Sequence, residues 1–388
     1  MWWARTYLLA ARRKWSLLLS GHFDPYPKPP DGVELSPSIS HFADCETAPL
    51  RLSWDRGNVP DPLEWQARVR AKLGQLLGIK SRASEPEARH WEDSISPNGL
   101  RRRKVYLRAA EHVDIPLSIL SMDVEKTRRR PPLLYMAGST SGVHVGWGEA
   151  RIPADYLLLG VGADMAAQAA KRGFVVVCIE QSCFGERLER HLMPRSENRT
   201  VDAAHHALLL GRTLLGEQVM DVSSVIDWLA AGKSGFEIDL SRLHVFGHSS
   251  GGSIALYAAA MDTRIRTVIC SGCVGFIRET IARRRHPSLT VTVPGILQWM
   301  ESDDIVGLCA PRPFLAVSGK SDHIFPFQGV EAVIESARRI YSRMNAEGSI
   351  LAVSGNAGHQ YYPDVTWDAL SRMVPAEPVT GKREGMQQ

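Results

Sequence analysis

The chain has 388 residues, of which 44% are hydrophobic and 23% charged, with a net charge of +4. This is the composition of a globular protein, long enough for one large α/β domain and an appendage, and it excludes a disordered chain. The basic excess comes largely from arginine clusters that no aromatic residues interrupt, so we expect solvated faces and no nucleic-acid partner. The clusters lie at 101–103, 128–130 and 283–285.

Six cysteines are spread along the chain, too sparsely for the disulfide framework of a small secreted domain. We therefore expect them to be reduced and the protein to be cytoplasmic. Cys270 and Cys273 form an isolated C-x-x-C with no second pair at zinc spacing, and the H-E-x-x-H pattern of zinc hydrolases is lacking. The sequence predicts no metal site.

Residues 1–20 are the most unusual segment, with basic side chains, three tryptophans and no acidic residue. Arg12, Arg13 and Lys14 interrupt the apolar run, which argues against a secretory signal. No stretch is long enough to span a membrane. We interpret the segment as an amphipathic helix that docks on the body of the protein or on a second subunit, or that lies on a membrane surface. Docking is favoured, and it would provide a route to a homo-oligomer.

The stretch before the core combines a connector and a helix. Residues 21–60 are rich in proline, as in an extended connector. A helix then begins after Asp61, which can cap it, and continues to Gly78 with apolar residues at helical spacing. The sequence therefore predicts an N-terminal helical extension and connector over 1–95 and a main domain over 96–388.

From residue 104 onward, short strands alternate with helices. The runs at 104–108 and 113–122 alternate apolar and polar residues, as half-exposed strands of a hairpin do. The later elements predict right-handed βαβ units in a mostly parallel sheet with helices on both faces. They are a strand at 132–138, a loop at 139–153, a helix ending at Gly173, a strand at 174–179, a long helix at 203–231 and a strand at 243–246.

That last strand runs directly into GHSSG at 247–251, which fits the pattern G-x-S-x-G. Between a strand and a helix, this pattern predicts a nucleophile elbow that lifts the Ser249 Oγ above the sheet. Side chains at the two glycines would collide with neighbouring backbone in so sharp a turn. The N-terminus of the following helix favours negative charge beside the serine. Ser249 is therefore the candidate nucleophile.

The segment 275–310 breaks the alternation between a strand at 266–270 and a strand at 313–317. It is long and contains the arginines 283–285, and we interpret it as a cap-like insertion over the site. Arginines facing the cleft would indicate an acidic substrate. The chain ends with a helix at 329–341, a strand at 349–353 and a helix at 363–374.

A nucleophilic serine needs an imidazole base, and the imidazole needs a carboxylate that fixes its tautomer. An elbow requires the order Ser, acid, His, with each partner on a loop after a strand. Asp322 directly follows the strand that ends at 317, and His359 directly follows the last strand. Asp322 and His359 are therefore the candidate acid and base.

Other residues fail one of these requirements. His286 precedes the candidate acid, and His248 belongs to the elbow and should point away from the hydroxyl of its neighbour. His323 is bonded directly to the acid, which leaves that carboxylate poorly placed to support it. Asp303 and Asp304 precede their strand and so lie at its wrong end.

The chemistry also needs hydrogen-bond donors for the oxyanion. One is the backbone N–H of Ser250, the residue after the nucleophile, and the other should come from the loop after the strand at 132–138. Ser139 is the candidate in that loop, followed by Gly138.

On these residues the sequence resembles the α/β-hydrolase superfamily, and within it the bacterial group described as dienelactone hydrolase-like or acetyl xylan esterase-like. The resemblance covers about residues 60–375 and implies that Ser249, Asp322 and His359 form a triad. It further implies hydrolysis of carboxylic esters by 96–388 as a catalytic domain, without a metal or organic cofactor. The segments that carry it are EWQARVRAKLGQLLG, IEQSCFGER, GHSSGG, APRPFLAVSGKSDHIFP and GHQYYPDVTW.

Departures from the family pattern leave the substrate open. The His-Gly pair that usually opens the oxyanion loop is Ala137-Gly138 here, and Ser249 stands where dienelactone hydrolases proper have a cysteine. The sugar-ester deacetylases tend to place Glu after the histidine and Gln after the elbow serine. This chain has Gln360 and Ser250 at those positions.

Three functions are compatible with these observations. The leading hypothesis is a serine esterase that cleaves a small-molecule ester through an acyl-enzyme. The alternative keeps the triad but cleaves a carbon–carbon or amide bond in a small aromatic or natural-product substrate. A non-catalytic scaffold is the third hypothesis, and an intact triad disfavours it.

Overall fold

A computed structural model describes residues 30–56, 61–80, 85–122, 129–189, 199–282 and 288–374. The chain divides into two units, residues 1–44 and 45–388. The described part of the first unit is exposed and includes most of helix α1 (Pro37–Glu46). The prediction of an extended connector is wrong over this helix, which begins at Pro37, where the missing N–H of proline breaks no hydrogen bond. The predicted helix over residues 1–20 lies outside the described residues.

The described part of the second unit contains one sheet of nine strands. The strands are β1 (Glu87–Ile95), β2 (Leu100–Ala110), β3 (Val113–Met122), β4 (Pro132–Met136), β5 (Val175–Ile179), β6 (His244–His248), β7 (Thr267–Ser271), β8 (Phe314–Gly319) and β9 (Ile350–Gly355). The helices that follow α1 in the described residues are α2 (Pro62–Leu77), α3 (Pro153–Gly160), α4 (Met165–Lys171), α5 (Arg199–Leu209), α6 (Leu214–Ala230), α7 (Ser250–Met261), α8 (Ile277–Ala282), α9 (Ser302–Gly307), α10 (Phe327–Arg343) and α11 (Pro363–Met373).

The sheet is mostly parallel and carries helices on both faces. Its strand order is β1-β2-β3-β5-β4-β6-β7-β8-β9, and the strands from β5 to β9 pair in parallel. Leu134 and Met136 of β4 belong to the buried cluster that includes residues of α2, α6, α7 and α10, whereas Leu133 and Tyr135 belong to the cluster that includes residues of α4 and α11. This alternation buries both faces of the strand, as a parallel sheet requires. The fold class expected from the sequence is confirmed.

The sheet begins earlier than the residue pattern predicts. Strand β1 pairs with β2 in antiparallel register, and Arg102 and Arg103 of β2 form ion pairs with Glu92 and Asp93 of β1 at 3.0 and 3.1 Å. A run of arginines can therefore lie in a strand, because the neighbouring strand supplies acidic partners. Strand β1 falls within the predicted extension, and the division at residues 95 and 96 stays a prediction.

The long helix expected over 203–231 is two helices, α5 and α6. The chain turns at Gly211, whose φ is +69°, a conformation that glycine adopts without strain. Thr213 then caps α6, since its hydroxyl accepts a hydrogen bond from the N–H of Gly216 at 2.9 Å.

The segment 275–310 consists of short helices and turns. Several of its apolar side chains belong to the core on the α7 face of the sheet, among them Val293, Ile296, Met300 and Ile305. The described stretch from 293 onward is thus partly core. Residues 283–287 lie outside the described residues, and the interpretation as a cap stays a prediction. None of the described helices has the length and apolar character needed to cross a bilayer.

Candidate active site

The strand β6, Ser249 and the helix α7 form a sharp turn. Ser249 stands between the two elements with φ 52° and ψ −119°, a conformation uncommon for a residue with a side chain. A Cβ on Gly247 would lie 2.6 Å from the N of Gly252, and one on Gly251 would lie 2.7 Å from the carbonyl carbon of Met136. Only glycine fits at these two positions, so the turn has the geometry expected of a nucleophile elbow.

Ser249, His359 and Asp322 meet at the carboxyl ends of their strands. The His359 Nε2 lies 3.0 Å from the Ser249 Oγ, and the His359 Nδ1 lies 2.8 Å from the Asp322 Oδ2. Asp322 follows β8, and His359 follows the adjacent strand β9. The structure therefore brings the three candidate residues within hydrogen-bonding distance, although 110 residues separate the serine from the histidine.

The surroundings of Asp322 keep it ionised. Its Oδ1 accepts hydrogen bonds from the N–H groups of Ile324 and Phe325 at 2.8 and 2.9 Å. Burial alone would raise the pKa of Asp322, but the hydrogen bonds from His359 and from these N–H groups lower that pKa below its ordinary range. The Oδ2 of the carboxylate accepts the Nδ1–H of His359, which leaves the Nε2 as the basic nitrogen that faces Ser249.

His248 packs behind the candidate base. Its ring centroid lies 4.0 Å from that of Tyr361 and 5.1 Å from that of His359, and its Nδ1 lies 2.9 Å from the Ser271 Oγ. Burial, and then the neighbouring imidazole of His359, lower the pKa of His248 to about 3. The neutral His248 ring thus helps to hold His359, and its hydrogen bond goes to Ser271 instead of the nucleophile.

The other residues considered as the acid or the base lie away from Ser249 or outside the described residues. Asp304 accepts the N–H of Trp54 at 2.8 Å, and Asp303 accepts the hydroxyl of Ser336. Both carboxylates therefore take part in contacts around α9. His286 lies outside the described residues.

The two residues proposed for the oxyanion donors flank the elbow. The Ser139 Oγ donates to the Ser250 Oγ at 3.1 Å, so the loop after β4 lies directly against the start of α7. A Cβ on Gly138 would be 3.4 Å from the Cβ of Ser249. Ser250 is the first residue of α7, where a backbone N–H has no acceptor within its own helix.

Gln181 and Tyr361 contact this loop and were not singled out from the sequence. The Gln181 Nε2 donates to the carbonyl of Ala137, and its Oε1 accepts the Ser250 Oγ–H at 3.3 Å. The Tyr361 hydroxyl accepts the N–H of Gly138 at 3.4 Å. The only signal in the sequence was their position, because Gln181 follows a strand and Tyr361 follows the candidate base.

A second group of contacts fixes the far end of the same loop. Asp155 accepts hydrogen bonds from the Ser141 hydroxyl at 2.5 Å and from the N–H of Arg151 at 2.8 Å, and the His144 Nε2 lies 3.1 Å from it. Burial would raise the pKa of Asp155, but these hydrogen bonds lower it well below its ordinary range. The carboxylate of Asp155 thus ties the loop to the start of α3.

Comparisons with known proteins agree with this architecture. A model of the Abhydrolase family matches residues 55–339. YtaP of Bacillus subtilis (strain 168), whose description as a hydrolase is provisional, is 25% identical over 208 residues, covering 53% of this chain and 65% of YtaP. The carbohydrate esterase MZ0003, from an unknown prokaryotic organism, is 29% identical over 131 residues, covering 29% of this chain and 30% of that protein. The chain therefore matches less than two thirds of the length of each of these two relatives.

A solved structure extends the likeness over most of the chain. It is a Bacteroides fragilis NCTC 9343 protein provisionally described as an acetyl xylan esterase, with a TM-score of 0.67 and 18% identity, covering 91% of this chain and 93% of that one. At this identity the likeness supports the fold alone. The family model, by contrast, covers more than half of the sequence, so the chain belongs to the Abhydrolase family.

Proposed function

We propose that this protein is a serine esterase that hydrolyses a carboxylic ester of a small molecule with Ser249, His359 and Asp322 as its triad. The observation that carries the proposal is the continuous path of hydrogen bonds from the Ser249 Oγ through His359 to Asp322, at 3.0 and 2.8 Å. Each distance lies within the range in which a proton is transferred or a base is oriented.

The proposed reaction follows from this arrangement. The His359 Nε2 removes the hydroxyl proton of Ser249 as the Oγ attacks the ester carbonyl, and Asp322 stabilises the imidazolium. His359 then donates that proton to the departing alcohol, which leaves an acyl group on Ser249. Water, deprotonated by the same Nε2, attacks the acyl carbon; the bond to the Ser249 Oγ then breaks, His359 returns the proton to that oxygen, and the acid is released.

The oxyanion of each tetrahedral intermediate would lie near the start of α7. The backbone N–H groups of Ser250 and Ser139 are the proposed donors, and the helix N-terminus adds a favourable field. Loss of one such donor typically costs about 3 kcal/mol in the transition state. The proposed chemistry is complete with these residues and needs no metal or organic cofactor.

The names of the relatives suggest which esters to test first. MZ0003 is described as a carbohydrate esterase, and the Bacteroides fragilis neighbour provisionally as an acetyl xylan esterase. Acetylated sugars are therefore the first natural substrates to try, beside p-nitrophenyl acetate. A panel that also contains amides and β-diketones tests the alternative reaction, which would be preferred if these were cleaved and esters were not.

Substitution of Ser249 tests the proposal directly. We expect Ser249→Ala to abolish both turnover of p-nitrophenyl acetate and labelling by a fluorophosphonate probe, because the nucleophilic oxygen is gone. Ser253→Ala is the matched control, since Ser253 lies on the same helix within the core, and it should keep both. Equal loss in the two variants would contradict the assignment of Ser249.

A further inference from the structure

We propose that Gln181 is a positioning residue that sets the conformation of the oxyanion loop, in place of the His-Gly pair that this chain lacks. The inference rests on the proposed function. The parallel register pairs Tyr135 of β4 with Cys178 of β5, so Ala137 and Gln181 leave adjacent strands at the same edge of the sheet. Gln181 is only 4% exposed, and its amide faces protein groups.

One amide group connects both sides of the proposed oxyanion site. Its NH₂ donates to the Ala137 carbonyl, and its oxygen accepts the Ser250 hydroxyl at 3.3 Å. The Ser250 hydroxyl in turn accepts from Ser139 at 3.1 Å. The loop after β4 and the first turn of α7 are therefore held at a fixed separation by Gln181. A primary amide can do this because it carries a donor and an acceptor on the same carbon.

The contacts around Gly138 then orient the peptide that carries the Ser139 N–H. Gln181 holds the Ala137 carbonyl, and the Gly138 carbonyl accepts the N–H of Thr140 at 2.8 Å. In a planar trans peptide the carbonyl and the N–H point in opposite directions. The N–H of Ser139 therefore points away from Thr140. The Ala137 carbonyl belongs to the preceding peptide, so its release from Gln181 would let Gly138 shift and would displace the Ser139 N–H with it.

Gln181 acts through the loop and not on the substrate, which predicts a particular kinetic pattern. Oxyanion donors bind the transition state more strongly than the ground state, so a misplaced donor lowers kcat and leaves KM nearly unchanged. A side chain that merely stabilised the fold would lower the melting temperature without changing kcat per folded molecule.

The test compares Gln181→Met, which keeps the length of the side chain but removes donor and acceptor, with Gln181→Glu, which keeps an acceptor for Ser250 and loses the donor to Ala137. We expect kcat for p-nitrophenyl acetate to fall by about tenfold or more in both, with KM changed by less than about threefold. Binding of phenylboronic acid, which forms a tetrahedral adduct with a nucleophilic serine, should weaken by the same factor as kcat.

Gln66→Met is the matched control. Gln66 is also a buried glutamine that donates to two backbone carbonyls, those of Gly307 and Ala310 at 3.0 and 2.8 Å, but it lies on α2. Its substitution should lower the melting temperature and leave kcat per folded molecule unchanged. Active sites are counted by fluorophosphonate labelling, so partial folding of a variant does not enter kcat.

The outcomes are distinct. The inference would be overturned if both Gln181 variants kept the wild-type kcat. If Ser249→Ala were inactive in the same assay, the proposed function would still stand. Loss of activity in the Gln181 variants only through a smaller folded fraction, as in Gln66→Met, would also overturn it. Turnover by Ser249→Ala would refute the proposed function, and the inference with it.

Discussion

Replacement of Asp322 with asparagine changes one atom of the side chain and is expected to remove almost all turnover. The N–H groups of Ile324 and Phe325 donate to the Oδ1 at 2.8 and 2.9 Å, so the amide oxygen of the new side chain must occupy that position. The amide NH₂ then faces the His359 Nδ1, 2.8 Å from the former Oδ2.

That orientation reverses the tautomer of His359. An NH₂ group can only donate, so the Nδ1 must accept, and the ring proton moves to the Nε2. An Nε2–H cannot remove the proton from the Ser249 hydroxyl. The corresponding loss in the serine protease triad is about 10⁴-fold in kcat, and we expect a loss of that order. The fold should survive, because the shape of the side chain and its two backbone hydrogen bonds remain.

The assay is kcat for p-nitrophenyl acetate together with the melting temperature. Asp239→Asn is the matched control, since Asp239 also accepts a backbone N–H, that of Ser241 at 3.0 Å, but in an exposed turn. That variant should keep the wild-type kcat. A loss of less than about tenfold in Asp322→Asn would refute the reasoning, because it would mean that Asp322 does not determine the tautomer.

Two further predictions concern stability. Burial lowers the pKa of His248 from 6.5 to about 3, so the unfolded chain binds a proton that the folded chain rejects, and the free energy of unfolding should fall as the pH drops below about 6.5. Urea unfolding at several pH values measures this, and His248→Asn should give a shallower dependence; an unchanged slope would contradict the argument. Gly251→Ala should unfold at lower temperature and lose activity, because its Cβ would lie 2.7 Å from the Met136 carbonyl carbon. Gly160→Ala, with nothing near its Cβ, should do neither, and equal melting temperatures would refute the steric reasoning.

The parts of the site that the sequence predicts are those with a local signature. The glycines at 247 and 251 indicate a sharp turn, and Asp322 and His359 each follow a recognisable strand. Because parallel strands end at the same edge of a sheet, strand order alone places such residues together. The mostly parallel sheet is predicted for the same reason, since each of its buried strands is a short apolar run.

The contacts of Gln181, Tyr361 and His248 have no local signature. Gln181 meets Ala137 across 44 residues and Ser250 across 69, and nothing in the residues around it indicates which carbonyl its amide will reach. Strand β1 was not predicted from the sequence for a related reason. Its acidic residues become compatible with a strand only when the arginines of β2 lie beside them. Pairings of this kind depend on the tertiary structure.

The backbone conformation of Ser249 sets the proposed chemistry against the stability of the fold. A residue with a side chain held at φ 52° destabilises the fold by about 1–3 kcal/mol, whereas glycine would adopt this conformation freely. The proposed nucleophile therefore works against the stability of its own fold, and a thermostabilising redesign that placed glycine at this position would discard the proposed activity along with the strain.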